Sequence, residues 1–287
     1  MIDKPIRAAI IDLYNNIPNQ GMRCIKNLLT DASGQYYSVP IVYDVYEARY
    51  KNEIPDLSYD IYISTGGPGS PFDSEGETWE KNYFNFLDDL WSYNAAKQIP
   101  PKYGLFICHS YQMVARHFNF AEVVPRRSAA FGMYKVHKTE AGQQDPLFKG
   151  LSDPFYAADF RDWQVLQPRK QQIDEMGAEI LCMEKERPHV DLERAVMAIR
   201  LLKQMVAVQF HPEADPDGML YHFSSPEQKS KIIETHGLEK YETIIQRLKQ
   251  PEYIASTYNT VIPGFLKRAV INNRPELVEA FQANTAQ

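Results

Sequence analysis

Apolar residues follow two alternating patterns over the first 120 positions. Short continuous apolar runs at 6–13, 59–64 and 103–107 have the length and composition of strands buried on both faces. Positions 38–46 add another strand candidate. Between the first two strand candidates, 21–29 carries Met22, Ile25, Leu28 and Leu29 at helical spacing. Further on, Trp79, Tyr83, Phe84, Leu87, Leu90 and Trp91 mark one face of a helix over 79–91. This alternation predicts an α/β protein with a doubly wound, mostly parallel sheet flanked by helices. In such sheets, sites form at the carboxyl ends of strands.

Beyond Phe120 the pattern becomes strand-rich, with candidates at 130–135, 178–184, 195–200 and 205–210 that include antiparallel additions to the sheet. After Glu213, Ile232, Ile233, Tyr241, Ile244, Ile245 and Leu248 describe amphipathic helices. The expected organisation is therefore a domain over 1–214 and a helical extension over 215–287. The extension could cover the sheet, form a homodimer contact or lid the cleft.

Composition narrows the partners. With 37 acidic and 31 basic residues, the net charge of -6 offers no footprint for a nucleic-acid backbone or an anionic membrane. No apolar run has the length of a membrane span, and the first residues carry no signal-like apolar stretch. A cytoplasmic protein acting on a small molecule is expected. Cys24, Cys108 and Cys182 are widely spaced and contain no Cys-x-x-Cys pair, which suggests neither a disulfide framework nor structural zinc. The histidines at 117, 137, 189, 222 and 236 show no metal spacing. Cys24 and Cys182 fall in apolar patterns and read as structural thiols.

Cys108 is different, because an apolar strand stops there and a helix pattern begins at once. A tight strand-to-helix turn exposes a nucleophile, the helix N-terminus favours a negative sulfur, and backbone N–H groups can stabilise an oxyanion. A merely buried cysteine is the ordinary alternative. A second apolar strand ends in His211-Pro212-Glu213. Thiol attack on an acyl carbon needs an imidazole to handle the proton and a carboxylate to orient it, and His211 and Glu213 supply both. The turn Gly66-Gly67-Pro68-Gly69 lets backbone approach a substrate closely. It lacks the Lys-Ser/Thr ending of a phosphate-binding P-loop.

Together these segments resemble the class I, triad-type glutamine amidotransferases. The stretch Ser64-Thr65-Gly66-Gly67-Pro68-Gly69-Ser70-Pro71 is similar to the family's oxyanion strand, Cys108 with Gln112 to its nucleophile motif, and Phe210-His211-Pro212-Glu213 to its His-Pro-Glu. Residues 145–155 resemble a segment of stand-alone members related to the amidotransferase domain of GMP synthase. The resemblance implies a flavodoxin-like fold and hydrolysis of the glutamine side-chain amide. Cys108 would attack, His211 would shuttle protons and Glu213 would orient it. Gly66 and Gly67 would form the substrate turn, with the Gly67 and His109 N–H groups as oxyanion donors, and Gln112 would help bind glutamine. The chemistry requires no metal or organic cofactor. Released ammonia would serve a separate synthetase, since the chain shows no ATP-binding motif.

Phe106 and Ser110 stand where the family usually has glycine, and the substrate loop 158–165 lacks the histidine often found there. Homoserine O-acyltransferases share the fold and a Cys, His-x-Glu triad, and Arg161 could match the arginine of their substrate loop. A catalytically silent binding protein is the third reading. Trp163 could line a pocket or belong to the core, and Arg126 and Arg127 read as a solvated loop.

Overall fold

The computed structural model describes residues 5–31, 39–189, 192–250 and 253–274. Among the described residues nine strands form one sheet: β1 (Ile6–Asp12), β2 (Ile41–Glu47), β3 (Ile61–Ser64), β4 (Tyr103–Ile107), β5 (Glu122–Lys138), β6 (Phe155–Leu166), β7 (Glu179–Glu184), β8 (Val196–Leu202) and β9 (Met205–Val208). Their order is β2-β1-β3-β4-β9-β8-β7-β5-β6. The segment from β2 to β9 is parallel. From β9 to β6 every ladder is antiparallel. The candidate strand 38–46 is β2, and the Ser38 at its start lies outside the described residues.

Alternation along the strands sends side chains to two cores. Ile6, Ala8 and Ile10 of β1 join Ile25, Leu28 and Leu29 of helix α1 (Gln20–Asp31). Asn19 begins α1 by accepting a hydrogen bond from the Met22 N–H at 2.9 Å. Ala9 and Ile11 face the other way, onto Tyr83, Leu87 and Leu90 of α3 (Thr78–Ala95) and Val114 of α4 (His109–Phe118). The short helix α2 (Ala48–Lys51) follows β2. Helices α5 (Glu140–Gln144) and α6 (Lys170–Met176) connect the antiparallel strands.

The C-terminal helices cover two regions. Helices α7 (Pro216–Ser224), α8 (Pro226–His236) and α9 (Leu238–Leu248) form a small core with Met133 of β5 and Ala158 of β6. Helix α10 (Ala255–Asn273) inserts Val261, Ile262, Phe265 and Leu266 into the core beside β1. Residues 275–287 of the expected extension lie outside the described residues. Among the described residues, no helix is long and apolar enough to cross a membrane.

Two sequence expectations are corrected. The supposed substrate loop 158–165 lies inside strand β6, paired with β5 through contacts such as Arg161 with Ala130. Its buried face includes Asp159 and Arg161, whose ion pair replaces apolar residues and hides the period-two pattern. Arg126 and Arg127 are also strand residues, in β5. Arg126 donates to Gln164 Oε1 at 3.0 Å and pairs with Glu184 at 3.2 Å, in a network with Arg161 and Arg187 rather than a solvated loop.

Candidate active site

The site lies at the carboxyl ends of β1, β3, β4 and β9. Register puts Ser64 beside Phe106 and Ile107 beside Val208, so the segments leaving β3, β4 and β9 emerge together. They carry Gly66 and Gly67, Cys108, and His211 with Glu213. The Cys108 N–H donates to Val208 O at 2.8 Å, and the His211 N–H donates to Ala158 O at 2.8 Å. These bonds tie the start of the β4 segment to β9 and the His211 segment to β6.

Cys108 has φ 51° and ψ −101°, an unusual conformation for a residue with a side chain. It immediately precedes α4. The Ser110 hydroxyl secures the turn, accepting from Ile107 N–H at 2.7 Å and donating to Ser64 O at 2.8 Å. Room for Phe106 comes from two residues upstream. A β-carbon on Gly104 would stand 3.0 Å from the Phe106 ring, so the missing side chain at 104 accommodates the large one at 106. Both departures from the family pattern therefore have a local structural account.

The thiol sits among polar groups at sulfur hydrogen-bonding range. Cys108 Sγ is 3.8 Å from Phe160 O, and Gln209 Nε2 is 3.7 Å from the sulfur. Gln209 Oε1 accepts from Gln112 Nε2 at 3.2 Å, linking the expected substrate residue to the cysteine. Gln112 Nε2 also approaches Trp163 O at 3.4 Å. Gln209 was not singled out from sequence. Its signal is a fully buried amide within the otherwise apolar run 205–210.

His211 Nδ1–H donates to Glu213 Oε1 at 2.7 Å, leaving Nε2 as the ring nitrogen available to the Cys108 side chain. The other oxygen of this buried carboxylate, Oε2, has no hydrogen-bond partner among the described residues. Burial opposes charge on His211. The Glu213 carboxylate, the Cys108 sulfur and hydrogen bonds to both outweigh it and raise the imidazole well above its usual range. The result is a ring that retains a proton beside a sulfur.

Gly66 lies between these groups. A β-carbon there would be 2.9 Å from His211 Cε1 and 3.6 Å from Cys108 Cβ. At Gly67 it would meet Leu13 O at 2.5 Å. Arg49 secures the loop by donating to Pro68 O at 2.7 Å. His109 is buried, and burial followed by the charges of Arg49 and Arg116 pushes its imidazole down to about 3, so that side chain is neutral. Its backbone N–H lies at the first position of α4, where a helix N–H has no intrahelical acceptor.

Among the described residues, two cavities meet at Cys108. The smaller, about 230 Å³, is lined by Gln112, Arg161 and Trp163, and Trp163 packs against Phe72 at 5.2 Å between ring centroids. The larger, about 460 Å³, is lined by His211, Glu213 and Tyr14, another residue not singled out from sequence. Arg161 points its Nε at both Asp159 oxygens at 3.0 Å and approaches Glu184 at 3.5 Å, so carboxylates already surround its charge. Among the described residues no group of His, Cys, Asp and Glu side chains could hold a metal ion. The arrangement suits nucleophilic acyl substitution: a sulfur, a protonated ring beside it, backbone donors and an acyl-sized cavity.

No protein-family model matches the sequence, and the curated proteins contain no match. Solved structures do match. A glutamine amidotransferase from Thermotoga maritima is similar with a TM-score of 0.66 and 17% identity, over 93% of this chain and 99% of that one. A glutamine amidotransferase from Methylobacillus flagellatus gives 0.56 and 14% identity, over 91% and 95%. The glutaminase domain of Trypanosoma brucei CTPS, with bound acivicin, gives 0.57 and 13%, over 91% and 94%. The chain has the glutamine amidotransferase fold, in which a mixed sheet with flanking helices brings the ends of β3, β4 and β9 to one site.

Proposed function

We propose that the chain is a cysteine-dependent glutamine amidotransferase that hydrolyses the side-chain amide of glutamine. The observation that carries this reading is the meeting, at adjacent strand ends, of Cys108 in its positive-φ turn with a His211 ring held by Glu213. Cys108 attacks the γ-carbonyl carbon, and the carbonyl oxygen takes up negative charge opposite the Gly67 and His109 N–H groups. His211 gives its proton to the departing nitrogen, so ammonia leaves and a γ-glutamyl thioester remains. Water, deprotonated by His211, then attacks the thioester and releases glutamate. Glu213 keeps the ring oriented and favours its charged form throughout.

The smaller cavity takes the amino-acid end, with Gly67, Gln112 and Arg161 lining it and Gly66 on the turn between Cys108 and His211. Arg161 acts there as a buried wall that positions β6. Its carboxylate partners leave no free cation, which counts against the homoserine acyltransferase reading. Ammonia passes to an acceptor synthetase, in keeping with neighbours that include a CTPS glutaminase domain. The test is to incubate the protein with glutamine and measure ammonia and glutamate. Equal amounts of both are expected, falling to background in Cys108→Ala. Equal product formation by the variant would overturn the reading.

A further inference from the structure

The cavity on the His211 side is far larger than ammonia requires. Cys108, Gly67, Pro68 and Phe160 line both cavities, whereas His211 and Glu213 line only the larger and Gln112, Arg161 and Trp163 only the smaller. A leaving nitrogen must receive its proton from His211, so it departs on the His211 side, and the acyl chain occupies the other. A molecule the size of water, or of ammonia, fills roughly 30 Å³. The cavity beyond the ring measures about 460 Å³.

Its lining surface is mostly apolar, with Tyr14, Asn19 and Gln20 as polar exceptions. Ile17, Pro18, Phe160, Met219 and Phe223 supply apolar surface. Asp215, which also lines the cavity, is paired with Arg23 at 2.7 Å, a bond that joins the start of α7 to α1. Burial lowers the pKa of His222 on the same wall, favouring its neutral form.

We propose that this cavity is a leaving-group subsite and that the substrates include secondary γ-carboxamides of glutamate whose nitrogen carries an apolar alkyl or aryl group. The proposal rests on the cysteine acyl-transfer reading above. The Cys108 sulfur forms the C–S bond as the C–N bond breaks, and His211 protonates the nitrogen to give a primary amine. Water then cleaves the thioester to glutamate. One water is consumed, and no oxidant or cofactor is needed.

The experiment compares glutamine with γ-glutamyl benzylamide, following glutamate release from each. The benzylamide is expected to show at least about a tenfold higher kcat/KM, the size of effect that burying an apolar group provides. Met219→Trp, which fills the cavity, should lower the benzylamide-to-glutamine ratio about tenfold. Ile17→Trp, at a rim position 52% exposed and therefore tolerant of substitution, should lower it in the same direction. Turnover of glutamine without turnover of the benzylamide, or a ratio unmoved in a folded variant, would overturn the subsite while leaving the cysteine reading intact. Failure to cleave either amide, with no acyl group found on Cys108, would remove both.

Discussion

Gly66 packs so closely on His211 that a β-carbon at position 66 would stand 2.9 Å from the ring's Cε1. The loop leaving β3 thereby sets the position of the ring that follows β9. In Gly66→Ala the ring must shift, and kcat for glutamine should fall about 100-fold, as misplacement of a reacting group by about 1 Å does. Gly67→Ala should act differently, since its β-carbon would press on the Leu13 backbone oxygen at 2.5 Å. Backbone cannot move aside cheaply, so this variant should lose about 1–3 kcal/mol of stability. Steady-state kinetics beside thermal unfolding separates the two effects.

The charge on His211 depends on Glu213. Burial alone would lower the imidazole pKa, while the carboxylate is the strongest influence raising it. A raised pKa keeps the imidazolium present as pH climbs through neutrality and loses it only above the usual histidine range. The alkaline limb of kcat/KM should therefore sit above ordinary histidine titration. Glu213→Gln should move that limb to lower pH and reduce kcat about 10²- to 10⁴-fold. A pH profile with an unmoved alkaline limb would separate Glu213 from the ring's charge.

Thiol reactivity should single out one cysteine. Cys24 lines the larger cavity, yet burial, the largest influence on it, pushes its thiol up to about 12. Burial also pushes the Cys182 thiol well above its ordinary range. Neither supplies much thiolate near neutrality. Brief treatment with iodoacetamide at pH 7 should modify Cys108 first, as peptide mass mapping would show. Equal labelling of Cys24 would contradict this electrostatic distinction.

The parallel half of the sheet is legible in sequence because β1, β3 and β4 are short apolar runs separated by helix patterns and turn residues. The antiparallel half is harder to read. In β6, buried Asp159 and Arg161 satisfy one another, so a charged pair occupies positions that an alternating pattern would fill with apolar residues. In β5, the register shift between Pro125 and Ala130 interrupts a strand of 17 residues with polar and proline positions. At the site, Cys108 and the His211-Pro212-Glu213 segment announce themselves as strand ends. Tyr14 carries no such local signal, and the lone amide of Gln209 in its apolar run does not name its partner, because only the fold brings it to the sulfur.

The buried charge network is expected to matter for stability. Burial alone would raise Glu184, but Arg187, Arg161 and Arg126 outweigh it and hold the carboxyl at about 2, below its ordinary 4.5. A depressed carboxyl pKa stabilises the fold above its unfolded-state value, and that contribution disappears as pH falls toward 2. Glu184→Gln should cost about 3 kcal/mol at pH 7, with the gap to wild type shrinking between pH 4.5 and 2. Denaturant unfolding across that range measures it.

The most direct test of the cysteine mechanism is acid quenching during glutamine turnover, followed by mass analysis of the peptide containing Cys108. The expected result is a γ-glutamyl adduct on Cys108 that forms before steady state, decays when glutamine is exhausted and is absent from Cys108→Ala. Glutamate and ammonia released at the wild-type rate by Cys108→Ala would contradict the account.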